Sequence, residues 1–593
     1  APRKLDINTD GSFQNIQLDY ASLAFSLNRQ MIVVRVPGST TYYTLEARVR
    51  TGTYENRLAG DAVIIHEVVP NRTEPSWSVD ADDPPATISN NEGSMFKVGE
   101  TWTSPDRAFS VSIDGATASG FVLSIQRPAV VLERDIVFVN PATNQTLETL
   151  LRFTNKSDAV NDITMTAYDD QGVAAAGPVN FSLPPRGGLQ LTSREIEQGN
   201  AAKGLVGSFG TGVGKWRIKV DPSEPVEVMS LIRSNLPMLS NVSDLAHGNS
   251  AEVRDILFAN PASNRVQETF LRLSNPGNSS NTITLTATDD MGVAAPGGSI
   301  TLTLGPRQSR LINSVDYETG APGKGLSGAF GTGTGKWRIR ASGTRPLQAM
   351  GLTRSPNGFL SNLSDSVPKA ADGSFALPYV IANPSLDHES LLRVMNTSNS
   401  SATVTLTARD DAGNALPGPP LSLSLPARRS VQLTTRDLAL GNSERGLTGS
   451  FGAGTGLWQV RVHSSNAGVQ VMNTVRNAGG TVSNMSTPSP RLDNGRYEVD
   501  FFNPASNTDV RTFVRIANAS EQAANVTIRG VDDAGNPAPG GAVTLTLPPN
   551  AARLLNASQI ENGATGLTGS FGKGSGKWQL EVEADADIRV LAI

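Results

Sequence analysis

Two adjacent aspartates with a glycine two residues on recur four times, at Asp169-Asp170, Asp289-Asp290, Asp410-Asp411 and Asp532-Asp533. Paired carboxylates on a loop are the hard oxygen ligands that calcium takes, so each pair is a candidate calcium turn. Calcium asks for six to eight oxygens, however, and each copy offers only two carboxylates. A plain turn explains the same residues, because aspartate starts turns through side-chain to backbone hydrogen bonds and glycine supplies a positive φ. The expectation is therefore no cofactor, with calcium the one cation the residues would suit. Asp80, Asp82 and Asp83 form a further acidic loop with the same two readings.

Other combinations carry less chemistry. His66-Glu67-Val68-Val69-Pro70 opens like a zinc-peptidase motif, but Pro70 stands where the second histidine ligand belongs and the segment reads as a strand. Gly210-Thr-Gly-Val-Gly214 and its copies lead into a strand, whereas a phosphate loop leads into a helix. Tryptophans Trp216, Trp337, Trp458 and Trp578 could stack on sugars, yet one per copy on an apolar face reads as a core anchor. Phe209, Phe330, Phe451 and Phe571 join them as structural anchors. Asn155, Asn278, Asn396 and Asn525 open glycosylation-type sequons on a Ser/Thr/Asn-rich surface. Cysteine is absent, which removes disulfides, thiolate metal sites and a cysteine nucleophile together. No constellation forms a catalytic centre, and the expectation is that the chain is not an enzyme.

The elements that hold these residues repeat. An Asn-Pro turn (Asn140, Asn260, Asn383, Asn503), the Asp-Asp-x-Gly turn, a Gly-Leu-x-Gly-x-Phe-Gly segment and a Gly-x-Trp strand recur in that order at intervals of 120 to 123 residues. In Trp216-Arg-Ile-Lys-Val220 the period of two places Trp216, Ile218 and Val220 on one face and Arg217 and Lys219 on the other. Six or seven such runs per copy, separated by Gly/Pro/Asn/Asp turns, describe an immunoglobulin-like antiparallel sandwich. A short helical turn at Ser193–Glu197, capped by the serine and ended by Gly199, is the one helical signal. The fold class is all-β, a linear array of five β-sandwich domains. They comprise an N-terminal domain over 1–128 and repeats over 129–249, 250–370, 371–490 and 491–593, the fourth lacking its last strand. Pro128 and the apolar residues after it form a short joint.

The 593 residues carry a formal charge of −5 without a basic block, so neither nucleic acid nor an anionic bilayer is favoured as a partner. No apolar run reaches the roughly 18–20 residues of a membrane span. The first residues lack the apolar core of a signal peptide, which suits either a signal already removed or a start inside a longer protein.

Tyr42-Tyr-Thr-Leu-Glu-Ala-Arg48, Ala62-Val-Ile-Ile-His-Glu-Val68 and Val98-Gly-Glu-Thr-Trp102 resemble the β-sandwich behind the catalytic domain of secreted bacterial metallopeptidases like immune inhibitor A. The repeats, with Leu239-Ser-Asn-Val-Ser243 and Leu360-Ser-Asn-Leu-Ser364, resemble a module appended to exported Gram-negative proteins. These resemblances imply export and an accessory role. The expected function is a non-catalytic, secreted or surface-exposed bacterial structural protein: a stalk, an adhesin or a fibre subunit that binds a surface ligand or polymerises through the unpaired edge of repeat four. The alternative is the accessory tail of a secreted metalloprotease.

Overall fold

The computed structural model describes all residues other than 1–2, 9–10, 37–40, 52, 54, 57, 59, 71, 81–91, 105–108, 128–132, 235–237, 244–250, 371, 383–386, 455 and 493–494. The chain is nearly all β and divides into two compact units, Ala1–Val131 and Leu132–Ile593. The joint expected at Pro128, Asp82 and Asp83, and the Asn383 landmark all lie outside the described residues.

The first unit pairs two sheets. One runs in the order Lys4–Ile7, Met31–Arg35, Tyr42–Arg48, Ala62–Val68, Ser76–Ser78, and the other Gly11–Asp19, Gly120–Arg127, Ser110–Thr117, Thr101–Thr103. Inward residues of both, among them Leu45, Ile65, Val111 and Leu123, form one apolar cluster. The His66 strand lies in the first sheet, where His66 Nε2 meets Glu46 Oε1 at 3.1 Å.

The second unit holds the four repeats, each with strands on two sides of its own core; in the second repeat the long strand Trp337–Arg354 joins the two sides into one seven-stranded sheet. In the first repeat one sheet orders Arg134–Val139, Trp216–Pro222, Asn161–Tyr168, Val179–Leu183. The other orders Gly188–Thr192, Leu147–Asn155, Val226–Ser234, Leu239–Asn241. Asn161–Tyr168 alternates buried and outward residues along its length, as a strand with one wet face must. The four tryptophans are each at most 2 % exposed and lie beside Phe209, Phe330, Phe451 and Phe571 with ring centroids 5.2–5.8 Å apart. Those eight residues occupy the core.

The short helix Ser193–Gln198 is capped by Thr192 rather than Ser193, with Glu195 closing a capping box and Gly199 ending it. The residue one turn in, Glu197, accepts the indole N–H of Trp216 at 2.8 Å, and Glu318 and Glu561 serve Trp337 and Trp578 in the same way. In the third repeat Ala439 follows Leu438 where the others carry the glutamate, and the indole of Trp458 is turned over, so that Nε1 rather than Cη2 lies nearest Gly454. Removing the acceptor removes the reason for that orientation.

One strand per repeat breaks the alternation. Leu147–Asn155 is buried on both faces from Thr149 onward, and Glu268–Ser274, His388–Asn396 and Phe513–Asn518 share the pattern. One face meets the private core; the other meets the neighbouring repeat. The neighbour of repeat one on that side is repeat four, which corrects the expected linear array. Gly188 N–H donates to Asp533 O at 3.0 Å, and Gln579 Nε2 donates to Arg186 O at 2.9 Å. Leu150 and Leu231 of repeat one cluster with Phe501 of repeat four. The four repeats therefore close into a ring, because each presents a second apolar face that a chain with free ends would leave exposed at one end.

Candidate functional site

The Asp-Asp-x-Gly turns lie at the seams of this ring. The first aspartate is turned into its own repeat: the Asp169 carboxylate accepts the backbone N–H groups of Gln171, Val173 and Val213 at 2.9–3.0 Å. Asp289, Asp410 and Asp532 hold the same turn in their repeats, with amide donors at 2.8–3.0 Å. The second aspartate turns outward to the next repeat. Asp170 Oδ1 takes Arg272 Nη1 at 2.6 Å, Asp290 takes Arg393 at 2.7 Å, Asp411 takes Arg515 at 2.5 Å, and Asp533 pairs with Arg152 at 2.5 Å. The other oxygen of Asp170 accepts Lys215 N–H at 3.0 Å, a bond repeated at Asp290 and Asp533. The carboxylates singled out as calcium ligands are thus engaged by amides and guanidinium groups, and no cluster of three or more metal-ligating side chains occurs among the described residues.

Each arginine sits in the middle of the doubly buried strand and is at most 2 % exposed. Arg272 Nε also donates to Val137 O at 2.6 Å, Arg393 Nε to Leu257 O at 3.3 Å, and Arg515 Nε to Pro378 O, so the guanidinium bridges carboxylate and carbonyl of the preceding repeat. A backbone bond runs beside each pair, from Ser309, Ser430, Ala552 and Gly188 to the carbonyl of the second aspartate. The turn glycine is required by this contact: Gly172 has φ +81°, and a Cβ there would stand 2.4 Å from Pro306 O of the next repeat.

The closing seam is built differently. Arg152 faces Asp533 as an ion pair, but none of its guanidinium nitrogens makes a hydrogen bond, and instead Lys156 reaches across to Glu498 at 2.8 Å and to Asp500. Burial opposes the Lys156 ammonium, but Asp500 and Glu498 outweigh it and hold its proton well above the usual lysine range. Pro276, Thr397 and Ala519 occupy the place of Lys156 in the other repeats, so this link belongs to the one seam that no linker crosses.

Lysines behind the second aspartate feel the opposite balance. Lys336 lies 5.3 Å over the ring of Phe258, and burial together with Arg393 pushes its ammonium down to about 8. An unfolded lysine titrates near 10.4. Between about 8 and 10.4 the unfolded chain still binds the proton that the folded chain has lost, so stability is expected to rise with pH across that window. Lys336→Met keeps the packing on Phe258, and we expect it to raise stability at pH 7 by about 1 kcal/mol and to flatten the rise. Urea denaturation at pH 7 and pH 9.5 checks both.

The seam arginines and Glu197, Glu318 and Glu561 were not singled out in the sequence. Their signal is an arginine inside an apolar run, Leu150-Leu-Arg-Phe153, Leu271-Arg-Leu273, Leu392-Arg-Val394 and Val514-Arg-Ile516, once per repeat. Two of the sequon asparagines are internal ties: Asn155 donates to Ala159 O and Pro184 O at 2.8 Å, and Asn396 to Ser400 O at 2.7 Å, both fully buried.

A scan against protein-family models finds no match, and a search of curated proteins finds none. Among solved structures the chain aligns with one titled "Structure of Glycoside Hydrolase family 32 from Bifidobacterium adolescentis", over 77 % of this chain and 99 % of that chain, at 9 % identity and a TM-score of 0.12. That finding overturns the expectation that the chain is not an enzyme, which is withdrawn; a likeness at that TM-score carries no argument for a particular fold or reaction.

Proposed function

We propose that this chain is a secreted or cell-surface bacterial protein that works as a rigid adhesive platform, with its repeats as immunoglobulin-like sandwiches. The observation that carries this reading is the closed ring of Arg–Asp seams. A stalk or fibre gains length from each module added, whereas four modules around one axis gain rigidity and a repeated surface. Four copies of related loops on one body can engage a surface at several points, which multiplies affinity without new contacts. Fixed seams keep those points in register, and the absence of cysteine leaves the stability of the ring to packing and to these ion pairs. The test is fractionation of producing cells followed by an attachment assay. Exposure of the protein to external protease, with attachment falling when the gene is deleted, supports the platform; a protein confined to the cytosolic fraction, or unchanged attachment, contradicts it.

A further inference from the structure

Three of the four repeats place a carboxylate at the same point of the first strand. Asp135 accepts Arg217 Nη1 at 3.3 Å and Gln348 Nε2 of the next repeat at 2.9 Å, Asp255 holds Arg340 at 2.8 and 2.9 Å, and Glu498 holds Lys156. The strand registers that set Asp135 opposite Lys219 and Asp255 opposite Arg340 set Ala376 opposite Arg461 in the third repeat. The carboxylate is missing there, while Arg461 holds the register place of Arg340, the partner of Asp255.

The same seam also gains cations. Arg409 stands where Tyr168, Thr288 and Val531 stand elsewhere, and Arg589 where the other repeats have Glu227, Gln348 and Gln470. With Ala376 and Ala519 too small to fill the space, a cleft of about 730 Å³ opens between the third and fourth repeats, within the range of small-molecule sites. Its walls combine Leu377, Pro378 and Pro488 with the three arginines. Asp372, Glu521 and Asp587 each pair with one of them, at Arg461, at Arg409 (3.6 Å) and at Arg589 (2.6 Å). The pairs at Arg461 and Arg409 are exposed to solvent, so each is weak and can be exchanged for an incoming anion, whereas Arg589 is half-buried and also tied to Ile588 O and the Tyr497 hydroxyl at the border of the cleft.

We propose that this cleft binds a small organic carboxylate, seated over Ala376 and held by Arg461 with Arg409 and Arg589. A guanidinium offers the two parallel N–H donors that a carboxylate matches, and the apolar walls take the rest of the ligand. The carboxylate can belong to a sugar acid or to an acidic peptide side chain, and titration calorimetry on the full chain separates them. D-glucuronate and N-acetyl-aspartate amide are the two probes, with D-glucose and N-acetyl-asparagine amide as their uncharged counterparts. Saturable binding of one acid, weakened at least about tenfold in its uncharged counterpart, is expected. Ala376→Asp supplies the internal carboxylate that the other repeats have and should weaken binding at least about tenfold, while Ala376→Ser should leave it within about threefold. The proposal fails if neither acid saturates up to about 10 mM, if the uncharged counterparts bind equally, or if Ala376→Asp binds like the parent.

Discussion

Asp170→Asn is expected to lower the stability of the ring by about 3–5 kcal/mol, far more than an aspartate in a surface turn would. The amide keeps an acceptor for Lys215 N–H, so the turn itself is retained, but Arg272 is left fully buried with its charge uncompensated. Adding Arg272→Met in the same chain should recover most of the loss, because the buried charge is then gone and the thioether fills much of the same channel. Urea denaturation of the parent, the single variant and the double variant measures the difference directly. Equal stability of parent and Asp170→Asn would mean that the seam pair is as weak as an exposed one.

The second large effect concerns closure. The first three seams are crossed by the polypeptide, which holds adjacent repeats at high effective concentration even when their contacts are broken. The fourth seam has only its contacts: the Arg152–Asp533 pair, Lys156 with Glu498 and Asp500, the Gly188 to Asp533 backbone bond, and the Leu150, Leu231, Phe501 cluster. Asp533→Asn with Lys156→Met should therefore open the ring between repeats one and four while each repeat keeps its Trp-anchored core. Opening should appear as an early denaturation step of at least about 3 kcal/mol lower stability at that seam, ahead of the main unfolding of the repeats. The parent seam should also weaken at high pH. The folded-state pKa of Lys156 lies above its unfolded value, so its contribution is fully present below the ordinary lysine pKa and is lost as pH rises through the folded value.

Some of this architecture was legible in the sequence and some was not, for physical reasons. The period of two in segments such as Asn161–Tyr168, and the 120 to 123 residue spacing of the landmarks, were enough for an all-β chain with repeated cores, because both reflect contacts local to one repeat. The ring is a property of pairs in different repeats, and Arg152 and Asp533 are far apart in sequence. The turn reading of the Asp-Asp pair accounted for Asp169, which caps its own loop, but it gave no task to Asp170, whose partner lies in the next repeat. An arginine flanked by leucine and phenylalanine in a strand was the visible trace of that partner, since a charge in an apolar run must meet a counter-charge or leave the core. The cleft at Ala376 was legible only by comparing repeats through strand register, because the Asn-Pro landmark of the third copy stands two residues later than its counterparts, with Ile381 in the place of Asn140.

Energy transfer between dyes on repeats one and four tests the closed ring most directly. The chain has no cysteine, so Val160→Cys and Ala534→Cys, both exposed and on either side of the closing seam, can be labelled cleanly. High transfer efficiency in the parent, falling when Asp533→Asn and Lys156→Met are added, is the predicted result. Absence of transfer in the parent, as expected for an open chain of four domains spanning roughly 100 Å, would contradict it.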